Sequence, residues 1–224
     1  MSTPKLLGDA IEDLLARDKQ VELVAVGVRE IYRAGDSAEF LYFVRSGMVK
    51  LCHAGGGLVV VVAGELFGEE LLWGEEIYGA DATRIMKGEI LRIPVAWFER
   101  VARRHSELWQ GVAMFIRKQL VRERRSFQQL AHLSTDERIV AMLAHLAPSC
   151  PLVPSLNSDR LVHSIPLTQA ELALLVGASR ETTSSELNAM ARRGELELRR
   201  GRLLVPARSA KSAAKSAAKA AHAG

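Results

Sequence analysis

A chain of 224 residues that is 48% apolar and 25% charged has the composition of a globular protein with one or two domains. No apolar run approaches the ~18 residues of a membrane span, and acids stand where a secretion signal would carry its apolar core, so a cytoplasmic protein with no membrane partner is expected. The charge is unevenly spread. Residues 1–105 hold 13 bases and 16 acids, residues 106–207 hold 13 and 10, and residues 208–224 add four bases and no acid, which predicts that nucleic acid meets only the back half.

Residues 5–18 have the pattern of a short leading helix. From about 21 to 93, short runs rich in Val, Ile, Leu, Phe and Tyr alternate with glycines, predicting an antiparallel β-sandwich or barrel. Leu41–Val44 and Leu58–Val62 are the firmest strands, and the second is apolar enough to be expected buried on both faces. Pro94 opens a helical phase as the first residue of a helix to Arg104. A longer helix is predicted over 106–133, roughly 40 Å long. Its apolar positions Val112, Ile116, Leu120, Phe127, Leu130 and Leu133 are interrupted by Gln119, Arg122, Glu123 and Arg124. Such a helix either packs across the β-domain or pairs with its own copy. The broken seam favours a homodimer held through Val112, Ile116, Gln119, Leu120, Glu123, Phe127 and Leu130. Ser134-Thr135-Asp136 caps a further helix, Glu137–Leu146, and residues 147–164, with Pro148, Pro151 and Pro154, read as a loop.

Residues 168–193 read as two short helices joined by a tight turn. Thr168 with Glu171 makes a capping box, Gly177 turns the chain, and Ser179 caps the second helix. The second helix opens with Arg180, Glu181, Thr182, Thr183, Ser184 and Ser185, six positions without a bulky apolar side chain. An ordinary helical hairpin seldom begins this way. A helix whose N-terminal end enters a DNA major groove does, because Arg reads guanine and Glu accepts from cytosine. Beyond it, Glu195–Leu198 and Leu203–Val205 flank Arg199-Arg200-Gly201-Arg202, a β-hairpin wing whose arginines suit phosphate. Candidate DNA contacts are therefore Thr168, Gln169, Ser179, Arg180, Glu181, Thr183, Ser184, Ser185, Arg199, Arg200 and Arg202.

The run Leu175-Val176-Gly177-Ala178-Ser179-Arg180-Glu181-Thr182, the approach Leu130-Ala131-His132-Leu133, and the β-turns Arg33-Ala34-Gly35-Asp36 and Gly64-Glu65-Leu66-Phe67-Gly68-Glu69 resemble the family of the cyclic AMP receptor protein and the fumarate–nitrate reduction regulator (CRP/FNR). The resemblance covers about residues 21–207 and implies an α+β fold. That fold has an N-terminal antiparallel β-roll within 1–105, a dimerisation helix over 106–133, a winged helix-turn-helix over 134–207 and a basic Ala/Lys-rich tail, 208–224. It implies a dimeric, non-enzymatic transcription regulator on a two-fold symmetric operator of double-stranded DNA, with RNA polymerase as a further partner. Half-site centres lie ~34 Å or a multiple of it apart.

The resemblance also implies where an effector would sit, at Gly64, Glu65, Tyr78 and Gly79 with Glu123 and Arg124 of the long helix. Members that bind cyclic nucleotide carry an Arg-Ser pair where this chain has Tyr78-Gly79. Six acids and no base lie between residues 65 and 81, so a phosphate would meet repulsion without a cationic fork. Binding of cyclic AMP in the family's usual way is not expected, and no cofactor is evident. An unidentified small-molecule effector, a cyclic nucleotide in a different pocket, a redox or haem sensor using Cys52 and His53, and action without any ligand all stay open. Two distant cysteines cannot hold an iron–sulfur cluster and are expected as buried free thiols, and successive strand residues such as Cys52-His53 point to opposite faces.

Overall fold

The computed structural model describes residues 22–24 and 27–207; the helix expected over 5–18 and the basic tail over 208–224 lie outside these. The chain divides into two compact units, 1–125 and 126–224.

The first unit is a β-roll of two four-stranded antiparallel sheets. One runs β1 (Glu22–Leu23), β8 (Ile90–Pro94), β3 (Phe40–Val44) and β6 (Leu66–Phe67); the other runs β2 (Glu30–Tyr32), β7 (Ala80–Met86), β4 (Met48–His53) and β5 (Leu58–Val62). A single core gathers Leu41, Phe43, Val49, Leu66, Phe67, Ile90 and Ile93 from these strands. It continues into α1 (Val95–Ala102) through Trp97 and Phe98 and into α2 (Ser106–His132) through Leu108, Val112 and Phe115. Two expectations change here. Pro94 is the last residue of β8 and the N-cap of α1, not its first helical residue. β5 is a sheet edge with Val59 exposed, because among the described residues it pairs with β4 alone; the apolar run reflects β-propensity at an edge and not burial on both faces.

The second unit contains the rest of α2 and α3 (Thr135–Leu146), α4 (Gln169–Val176) and α5 (Arg180–Arg192). These pack with a sheet ordered β11 (Glu197–Arg199), β12 (Arg202–Pro206), β10 (Leu161–Ile165) and β9 (Leu152–Pro154). Ser134 caps α3 in the predicted segment and closes a capping box, its backbone N–H donating to Glu137 at 2.9 Å. The stretch expected as loop supplies a 3-10 turn and two strands. Its prolines do not prevent this, since β9 is an edge strand and needs N–H groups on one side only. Among the described residues no helix is long and apolar enough to cross a membrane.

The long helix shows two faces. Leu108, Gly111, Val112 and Phe115 are buried against the β-roll, so Val112 belongs to its own chain's core and not to a seam with another copy. Gln119 also faces the roll, donating to Glu69 at 3.3 Å. A separate stripe, Trp109, Ala113, Ile116, Leu120, Glu123, Phe127 and Leu130, is spaced alternately four and three residues, the period of a coiled-coil seam. Trp109, Leu120, Phe127 and Leu130 on it are exposed, Phe127 by 73%.

Candidate nucleic-acid interface

Helices α4 and α5 are held as a rigid pair by local chemistry. The Thr168 hydroxyl accepts from the Glu171 N–H at 3.2 Å while the Glu171 carboxylate accepts from the Thr168 N–H at 2.8 Å, closing the capping box. Gly177 ends α4 with φ +63, the left-handed conformation that favours glycine, and it lies close beneath the end of the Leu130 side chain. Ser179 Oγ accepts from the Thr182 N–H at 3.0 Å and starts α5.

The buried side of α5 is Thr183, Leu187 and Met190. Thr183 is fully buried and its hydroxyl has no hydrogen-bond partner, so it is a core residue and not the DNA contact expected of it. A six-residue polar run wraps a helix completely, so one of its members must face inward. Ser184 is half-buried. Arg180, Glu181, Thr182, Ser185, Asn188 and Arg192 are exposed. Glu181, Ser185, Asn188 and Arg192 form one outward ridge at i, i+4, i+7 and i+11. Asn188 and Arg192 were not among the candidates; the same helical spacing, carried two turns further, points to them.

Arg180 lies beside a cleft of about 400 Å³ lined by Thr168, Gln169, Arg199, Arg200 and Arg202 and by no acid. Arg199 pairs with Arg202 across the hairpin, leaving Arg200-Gly201 as its two-residue tip. Arg202 donates to Ser164 Oγ at 3.0 Å, which turns it partly onto the sheet, whereas Arg199 and Arg200 stay exposed. Four arginines thus line the cleft beside the start of α4.

The β-roll is closed from within. Tyr78 is buried, stacked on Tyr32 with ring centroids 3.7 Å apart, and Tyr42 and Phe67 complete the aromatic cluster. The Tyr78 hydroxyl donates to the Phe40 carbonyl at 2.9 Å and accepts from the Phe40 N–H at 3.2 Å. The Gly79 N–H points to the Glu70 carboxylate at 3.5 Å. Glu65, beside Gly64, accepts from the Val62 N–H at 3.1 Å and from Arg122 at 2.7 Å. The helix residues that meet the roll's acids are thus Gln119 and Arg122. Glu123 and Arg124, expected there, are exposed because they lie about 100° or more round the helix from Arg122. Burial, with Glu70 and Glu65 nearby, holds the Glu69 carboxyl above its ordinary range. Cys52 is half-buried on β4, not fully buried as expected, and His53 next to it is exposed; the buried Cys150 thiol is pushed up to about 12 by desolvation.

A family model described as the cyclic nucleotide-binding domain matches residues 29–105, and one described as the Crp-like helix-turn-helix domain matches residues 137–210. The chain belongs to the CRP/FNR family. This CRP/FNR member is similar to the cyclic AMP receptor protein of Thermus thermophilus, with 29% identity over 175 residues, 76% of each chain. Its fold matches that of the c-di-GMP-responsive global regulator CLP of Xanthomonas campestris (TM-score 0.66, 23% identity, 89% of this chain and 99% of that one). It also matches FixK2 of Bradyrhizobium japonicum (TM-score 0.65, 17% identity, 84% and 92%). The regulator therefore joins the family's β-roll to its winged helix-turn-helix, as the sequence resemblance implied. A family of transcription regulators, not of enzymes, supplies the frame for its chemistry.

Proposed function

We propose that this CRP/FNR regulator acts in the cytoplasm as a homodimer that binds a two-fold symmetric DNA site, with Arg180 and Glu181 reading bases and Arg199 and Arg200 gripping phosphate. The observation that carries this reading is the unpartnered polar ridge of α5 beside a cleft lined by four arginines and no acid. Thr168, Gln169 and Ser179 flank that cleft or cap its helices and serve as backbone contacts; Ser185 adds a weaker base contact. The exposed coiled-coil stripe of α2 supports pairing with a second copy, through Ile116, Leu120, Phe127 and Leu130 around Glu123. RNA polymerase is the partner such a regulator addresses.

The β-roll interior supports action without cyclic AMP. Tyr78 fills the place of a phosphate-binding arginine, and Arg122, Glu70 and Phe40 take up the polar groups around it. Mobility shifts on a pool of genomic fragments, run with and without cyclic AMP, cyclic GMP, cyclic di-GMP and haem, test both parts. Binding that needs no added ligand and loses its sequence preference in Arg180→Ala is the expected result. A strict requirement for cyclic AMP overturns the reading of the β-roll, and unchanged preference in Arg180→Ala overturns the base assignment.

A further inference from the structure

The ridge of α5 extends beyond the two residues assigned to base reading, and its next member has the right chemistry for a different base. Asn188 is exposed, and its side chain makes no hydrogen bond among the described residues. It shares a face with Glu181 and Ser185 while Thr183, Leu187 and Met190 anchor the opposite face in the unit's core. An exposed asparagine on a helix is ordinarily just solvated. Three features argue for more here.

First, asparagine is among the weaker helix formers, and this exposed mid-helix position would favour Ala, Lys or Glu if only helix stability counted. Second, seven residues at 1.5 Å rise place Asn188 about 10 Å along the helix axis from Glu181, far enough to face a different base pair in the groove. Third, its carboxamide presents one acceptor and one donor side by side, the complement of adenine N6–H and N7 in the major groove. Arg192, one turn further on the same ridge, is the residue with the reach and charge for phosphate at the groove's rim. The short Asn188 side chain between them reaches only what the helix face itself touches.

We infer that Asn188 reads an adenine, at a base pair other than the one contacted by Glu181, so that the half-site pairs a G·C-directed element with an A·T-directed one. This rests on the DNA-binding reading above. The substitution Asn188→Ala lies on the surface and improves helix propensity, so folding is retained.

Binding-site selection from a randomised duplex pool, followed by titrations on the selected site, tests the assignment with the full-length protein. Wild type selects an adenine at one position of each half-site. Replacing that base by 7-deazaadenine weakens wild-type binding, and Asn188→Ala discriminates there about 5- to 150-fold less than wild type. Asn188→Gln, which keeps the carboxamide, restores part of the preference. If Asn188→Ala weakens every sequence equally with a shallower salt dependence, Asn188 is a backbone contact and the inference fails. Full retention of the adenine preference in Asn188→Ala overturns it as well. A wild-type protein that retains no duplex from the pool overturns the DNA-binding reading itself, and this inference with it.

Discussion

Thr183 sets the limit of reading single residues from composition. Six polar side chains in a row at 180–185 look uniformly suited to an interface, but a helix turns 100° per residue, and one in every three or four must face the core. The fold picks Thr183, fully buried with an unpartnered hydroxyl. Valine has the same shape without the hydroxyl, and a buried unsatisfied polar group costs about 1–3 kcal/mol. Thr183→Val should therefore stabilise the protein by about 1 kcal/mol in urea melts while leaving DNA affinity unchanged. A loss of affinity without a loss of stability would return Thr183 to the interface. Arg122 escaped notice for the opposite reason. It lies in the polar break of an apolar stripe, a pattern that reads as solvated, whereas Glu65, 57 positions earlier in sequence, accepts its hydrogen bond.

At the scale of elements, the sequence was legible wherever one local pattern decided the outcome. The cap at Ser134, the capping box at Thr168, the glycine at 177 and the hairpin around Arg200-Gly201 all lie where the residues placed them. Burial was harder to read, because it depends on partners distant in sequence. The run Leu58–Val62 could not declare itself an edge, and Leu152–Pro154 could not declare itself a strand until β10 paired with it. The long helix carries both lessons. Val112 and Leu120 satisfy one helical stripe in the sequence but face different partners, the first buried in its own core and the second exposed. Substitutions separate them. Phe127→Asp should shift the protein from dimer to monomer in sedimentation equilibrium with little change in its melting temperature when monomeric. Val112→Ala should leave the dimer intact and destabilise the β-roll by about 1–3 kcal/mol, as expected for a buried aliphatic side chain cut back to a methyl group. Equal effects of the two on assembly would sink the distinction.

For the whole molecule, the division of charge seen in the sequence becomes a division of labour. Acids outnumber bases in the β-roll half, and exposed arginines line the cleft of the second unit. Each phosphate contact contributes a slope of about 0.9 to the dependence of log affinity on log salt. Arg200→Ala removes one contact from each half of a dimer, so the slope should fall by about 2 with sequence preference unchanged. Arg180→Ala should lose preference instead. Identical slopes for wild type and Arg200→Ala would take the wing out of the interface.

Tyr78 gives the β-roll a kind of irreversibility. Its ring is stacked and buried and its hydroxyl doubly bonded to Phe40, so exchanging it for arginine would set a guanidinium among Tyr32, Tyr42 and Phe67 while orphaning two backbone groups. An uncompensated buried charge costs several kcal/mol, comparable to a domain's whole margin of stability. Position 78 is thus held to an aromatic side chain by the rings and the Phe40 backbone around it, whatever the β-roll meets.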